Sequence, residues 1–240
     1  MIWILVLTVG LVAGTIGGVV GFGGSTILLP ILVFAFGPKA AVPIMGVAAL
    51  LANFARILIW WKAIDWRAVA VYSATGMPAV ALGARTFLTL DVRLIEGLLG
   101  VFMLVMVPAR RWLLARHFTV GLPGLAAAGA GIGFLTGMVA STGPINTPFF
   151  LAFGLSKGPF IATEAAGSLA VYSVKSTIFE RFGALPYDMI VNGVIVGLAM
   201  MCGAWFGKRI IEHMDTHQFH AIVDVLMVMS GLVMVWGAVY

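Results

Sequence analysis

Charge is what this sequence has least of. Of 240 residues, 10% are Asp, Glu, Lys or Arg, against 62% hydrophobic, and the mean hydropathy is +1.11. Soluble domains carry about a quarter charged residues, so an ordinary water-facing surface is excluded. Residues 1–38 and 118–156 contain no Asp, Glu, Lys, Arg or His at all. Cysteine occurs once, at Cys202, which excludes an intrachain disulfide and leaves no thiolate set for a metal cluster. In its setting, "GLAMMCGAWFG", it reads as a small buried residue. There is no H-E-x-x-H, no G-x-S-x-G and no intramembrane aspartate pair, so no catalytic constellation is expected. His213, His217 and His220 crowd around one loop and His117 is remote, so neither a metal site nor a cofactor is expected.

What the sequence has instead is apolar runs of membrane-spanning length from end to end, the mark of an all-α, multi-pass membrane protein. Helices are expected near 40–61, 67–86, 92–113, 158–180, 188–209 and 218–238. Charges punctuate them, and Trp60, Trp61, Trp66 and Trp112 lie beside those charges as an interfacial belt does. The formal net charge of +5 reflects basic loops, not a nucleic-acid partner. The opening "MIWILVLTVG" lacks a positive leader and reads as the first membrane segment.

The two uncharged stretches cannot each be one transmembrane helix. At 1.5 Å per residue each would run about 57 Å, nearly twice a hydrocarbon core of about 30 Å. Each must break, and each supplies a breaking point: "GFGGST" at 21–26 and "STGPIN" at 141–146. The breaks also match one another. Pro30 aligns with Pro148, Lys39 with Lys157, and Gly24-Ser25 with Thr142-Gly143; further on, Gly83 aligns with Gly207, Arg85 with Arg209 and Asp91 with Asp215. An internal duplication is the simplest account, with halves 1–117 and 118–240. Each half is a repeat of four to five segments that opens on a broken or re-entrant helix. If both broken segments turn back, eight loop Lys/Arg fall on one face and four on the other. By the positive-inside rule that makes the repeats inverted, with both termini outside.

Non-helical backbone at membrane depth is tolerated only where protein or a water-filled cavity surrounds it. A short helix starting at Ser25 or Thr26 would be capped by a hydroxyl and would point free N–H groups and a positive dipole end into that cavity. Such a helix start suits an anion, and Gly23 and Gly24 let a ligand approach the backbone. Ser141, Thr142, Gly143 and Asn146 repeat the arrangement in the second half, with Pro144 at home in a first helical turn. Broken helices in corresponding positions of two repeats point to a transporter's substrate site. Upstream, Gly10, Gly14, Gly18 and Gly129, Gly133, Gly137 form four-residue ladders suited to helix packing.

Two cations sit inside apolar helices, Arg56 in "LLANFARILIWW" and Lys175 in "LAVYSVKSTIFE". Intramembrane ionisable groups are functional candidates, with snorkelling to the interface as the alternative. Asn53 shares a face with Arg56, and Tyr172 with Lys175, each three residues earlier. Glu164 is expected at the interface near its helix start, where a carboxylate suits the dipole, with proton coupling as the alternative.

The chain resembles the TauE/SafE sulfite exporter family, also called the toluene sulfonate uptake permease family. The doubled break carries the likeness, above all the "G-x-G-G-S-x-x-x-L-P" pattern from Gly21 to Pro30. The second copy, "STGPINTP" at 141–148, departs from the glycine-rich form usual there. The resemblance implies a carrier in the bacterial inner membrane for sulfite, sulfonates or related small sulfur-containing anions. A proton or sodium ion is the candidate coupling partner, lipid the surroundings and a homodimer the candidate assembly. An anion channel and a non-transporting membrane scaffold are the alternatives.

Overall fold

Both uncharged stretches are broken helices in the computed structural model, which describes residues 2–22, 24–88, 119–138 and 142–213, with isolated positions within 101–108 and 215–237. Helix α1 (Ile2–Val20) stops where Gly21 takes φ +81°, a left-handed turn that would cost a residue with a side chain about 1–2 kcal/mol. Helix α2 (Gly24–Phe36) then runs back along α1. Trp3 near the start of α1 meets Phe36 at the end of α2 edge-on, with ring centroids 5.4 Å apart. The first stretch is thus a helical hairpin whose two ends lie together.

Pro38 occupies the first turn of α3 (Pro38–Ile59), where its missing N–H goes unnoticed. A 3₁₀ turn at Trp61–Ala63 leads to Asp65, whose Oδ1 accepts from the N–H groups of Arg67 and Ala68, each at 3.0 Å, and so caps α4 (Trp66–Phe87). The second uncharged stretch forms α5 (Leu122–Met138) and α6 (Gly143–Ala152). Here too the ends lie together, since Val120 N–H donates to the Ala152 carbonyl at 2.9 Å. Helices α7 (Lys157–Arg181) and α8 (Tyr187–Glu212) follow. The helices expected at 92–113 and 218–238 lie largely outside the described residues, as do Asp91 and Arg93; the others fall within three residues of their expected ends.

Glycine decides how closely the helices approach. A methyl on Gly14 would overlap the backbone of Met200, and one on Gly18 that of Ala204, so α1 lies against α8. Likewise Gly129 meets the backbone of Tyr72, Gly133 that of Gly76, and Gly137 that of Val80 and Ala84, so α5 lies against α4. Residue numbers rise together across both contacts, and the helices within each pair are parallel. Helix α3 is also parallel to α8, with Gly193 on Val47 and Gly197 on Leu51. It is antiparallel to α7, where Trp60 meets Gly158 and Arg56 meets Glu164. Helix α7 is parallel to α4, with Tyr72 on Gly167 and Phe87 on Phe179. By this chain of contacts α5 runs opposite to α1. The two hairpins therefore enter from opposite ends, and their turns meet: a methyl on Gly143 would overlap Phe22.

Among the described residues, Ile2–Val20, Ala40–Ile59 and Tyr187–Ile210 are each long and apolar enough to span a bilayer. The exterior is apolar as well, with Ile4, Phe34, Leu198, Trp205 and Phe206 exposed, as a helix facing hydrocarbon requires. Cys202 corrects its sequence reading: it is exposed on that outer face, beside Leu198. Hydropathy could not place it, because both the inside and the outside of such a bundle are apolar.

Candidate functional site

The meeting of the two hairpin turns leaves a small cavity of about 30 Å³. Its floor is glycine from the α1–α2 hairpin, Gly17, Gly18, Gly21 and Gly24, with Ser25 in the first turn of α2. Gly143, the first residue of α6, faces it from the second hairpin. Asn53 and Arg56 project from α3, and Glu164, Ser168 and Tyr172 from α7. Two helix N-termini thus open on one small space, glycine-lined on the α1–α2 side and walled by larger side chains from α3 and α7.

Arg56 and Glu164 form its electrostatic centre. Arg56 Nη1 donates to Glu164 Oε2 at 3.1 Å, and its second nitrogen donates to Asn53 Oδ1. Glu164 Oε1 accepts from Ser168 Oγ at 2.6 Å and from Asn146 Nδ2 at 3.1 Å. Tyr72 from α4 donates its hydroxyl to Asn146 Oδ1 at 2.8 Å, which fixes which end of that amide faces the carboxylate. Glu164 is 2% exposed and Arg56 9%. Charged hydrogen bonds in such a medium are strong, while a buried charge lacking its partner is costly. Every member of this network has one.

Of the residues singled out in the sequence, Gly24, Ser25, Asn53, Arg56, Gly143 and Tyr172 line this cavity. Asn146 reaches it through Glu164. Thr142 is buried just behind, its hydroxyl bonded to that of Thr136 rather than capping α6. Thr26 lies in α2, its side chain outside the description; Gly23 and Ser141 lie outside the described residues. Lys175, fully buried, is not part of the lining: its Nζ donates to the Thr136 carbonyl at 2.8 Å, near the end of α5. Neither cation snorkels. Glu164 is corrected outright, from the interface to the network's centre. Its signal was present in the spacing, because Glu164, Ser168, Tyr172 and Lys175 follow one another by four, four and three residues, a single polar stripe along α7.

A family model described as "Sulfite exporter TauE/SafE" matches residues 6–234, nearly the whole chain. The chain belongs to that family. One curated relative of this TauE/SafE protein is the "Probable membrane transporter protein y4hK" of Sinorhizobium fredii (strain NBRC 101917 / NGR234). The two are 28% identical over 187 residues, 72% of each chain. No solved structure matches. Family, relative and apolar helices together make this a membrane protein of a transporter family, not of an enzyme family.

Proposed function

We propose that this protein is a secondary transporter of small sulfur-containing anions, sulfite, sulfonates or their relatives, in a bacterial inner membrane. The observation that carries the reading is that Gly24 and Gly143, the first residues of two helices from opposite hairpins, open on the same cavity as Arg56. Backbone N–H groups at helix starts and a buried guanidinium suit an oxyanion. Gly24, Ser25 and Gly143 form the backbone and hydroxyl part of the site, with Gly23, Thr26, Ser141 and Thr142 beside them in the sequence and Asn146 acting through Glu164. Asn53, Arg56 and Tyr172 form its side-chain wall, and Lys175 holds the second hairpin beside it. The halves 1–117 and 118–240 act as inverted repeats that rock about this point near the bilayer midplane. Arg110, Arg111 and Arg116 face the cytoplasm and both termini the outside.

Labelled sulfite and methanesulfonate, followed into proteoliposomes with and without an imposed proton gradient, test this reading. A carrier gives counterflow: external label enters faster when unlabelled anion is trapped inside. Uptake that never responds to a trapped gradient means a channel. No uptake of either anion refutes transport and leaves the glycines a purely packing role.

A further inference from the structure

The buried charges of the site cancel. Arg56 supplies the positive charge an anion needs, and Glu164 already occupies it at 3.1 Å. An anion entering beside this pair would leave the cavity with a net negative charge in a medium that solvates charge poorly, which is strongly unfavourable. We infer that Glu164 is the coupling residue of the carrier: it takes up a proton as the anion binds to Arg56, and the two are carried together. This rests on the anion-transport reading given above.

The balance is simple. One proton from solution adds to the Glu164 carboxylate, whose charge goes from −1 to zero; Arg56 stays +1, and a monovalent anion brings −1. The loaded site, with protonated Glu164, Arg56 and the anion, is neutral. The empty site, with the Arg56–Glu164 ion pair, is neutral too. Proton alone or anion alone leaves a net charge that makes closure costly. Only the two neutral forms pass readily from one side to the other, and that difference is the coupling.

The surroundings of Glu164 accept either form. Its Oε1 faces Ser168 Oγ at 2.6 Å, and a hydroxyl donates to a carboxylate or accepts from a carboxylic acid. When it accepts, its own hydrogen can turn to the carbonyl four residues earlier in α7. Asn146 remains a donor in both forms, held by Tyr72. Arg56, released from Oε2, keeps its bond to Asn53 and stays at the cavity wall. Among the described residues, the titratable groups facing Glu164 are Arg56 from α3, Tyr72 from α4 and Tyr172 from α7 itself. Helices α1, α2, α6 and α8 bring none to the cavity. Lys175, further along α7, directs its ammonium to the Thr136 carbonyl.

The test uses the whole protein in proteoliposomes, with labelled sulfite and with methanesulfonate, which stays charged at every pH used. A pH gradient, alkaline inside, should accumulate methanesulfonate up to tenfold per pH unit. A potassium diffusion potential alone should accumulate none, because the step is electroneutral. Glu164→Gln mimics the protonated form: it should lose accumulation driven by the pH gradient and bind anion with a pH-independent affinity. Glu164→Asp keeps an ionisable group and should retain coupling with a shifted pH midpoint, so the assignment is still decided if the glutamine variant fails to fold. Accumulation by membrane potential without a pH response overturns the inference. So does proton-driven accumulation that survives in Glu164→Gln, or an unshifted midpoint in Glu164→Asp. In each of these cases wild-type counterflow persists. Loss of wild-type counterflow instead refutes the transport reading itself.

Discussion

Replacing each half of the buried ion pair, then both, measures whether the network at the hairpin junction exists as described. Arg56→Gln leaves the Glu164 carboxylate 2% exposed with only Asn146 and Ser168 as donors. Glu164→Gln leaves the buried Arg56 guanidinium with neutral side-chain acceptors only, Asn53 Oδ1 and the new amide oxygen. Opposite charges about 4 Å apart attract by about 4 kcal/mol at an effective dielectric constant of about 20. Removing one member of a buried pair costs about 3–5 kcal/mol, because the other charge stays buried. The double variant buries no uncompensated charge, so it should be more stable than either single variant, with a coupling energy of about 2 kcal/mol or more. Reversible unfolding in mixed dodecylmaltoside and SDS micelles reads all four proteins. The double variant should also be inactive, which separates loss of the anion site from loss of the fold. Additivity of the two single effects within about 0.5 kcal/mol would refute the reasoning, since it would mean that the two side chains do not meet in the folded protein.

Gly133→Ala should be destabilising, because its methyl would overlap the backbone of Gly76, whereas Gly131→Ala meets open space and should be neutral or stabilising by up to about 1 kcal/mol; the same detergent titration compares them. Ser25→Ala removes a hydroxyl at the cavity wall, and loss of one hydrogen bond to a charged ligand, about 1.5–3 kcal/mol, should weaken anion binding by roughly ten- to a hundredfold; isothermal titration with sulfite checks it. Lys175→Gln should lower stability through the lost bond to Thr136 while anion affinity changes less than in Arg56→Gln, measured by the same titration. In a Cys202→Ala background, cysteines placed at residue 115 and at the C-terminus should react with an impermeant reagent from opposite sides of the membrane; reaction from one side would overturn the charge-based orientation.

Much of the fold was legible because a bilayer imposes a length. The uncharged stretches were too long to cross once, so their breaks could be placed at 21–26 and 141–146, and α2 and α6 begin there, at Gly24 and Gly143. The return of each hairpin was harder to read. It shows in the contacts of Trp3 with Phe36 and of Val120 with Ala152, which no local pattern announces. Exposure was legible least of all. Cys202 faces outward and Val196, six residues earlier on the same helix, is fully buried, yet both are apolar in an apolar run. In water the polar face of a helix marks its outside; in lipid that mark is gone.

The site was legible where polarity is costly and illegible where an ordinary explanation was at hand. Arg56 and Asn53 stood out because an intramembrane cation demands a reason. Glu164 lies seven residues after Lys157, where a helix start explains a carboxylate well enough, and nothing local says that α3 brings Arg56 against it from 108 positions away. Tyr72 was silent for the same reason, since its role depends on Asn146 across the bundle. The glycines show a different limit. Gly14 and Gly18 press against the backbones of Met200 and Ala204 and also line the cavity, so the division between packing ladder and binding break does not hold along α1. Small residues let two helices close on each other on one side and leave room for an ion on the other. A substitution at Gly14 therefore changes both at once, whereas at Gly17, where an added methyl would meet only Gly24 at 3.8 Å, the cavity alone gives up space.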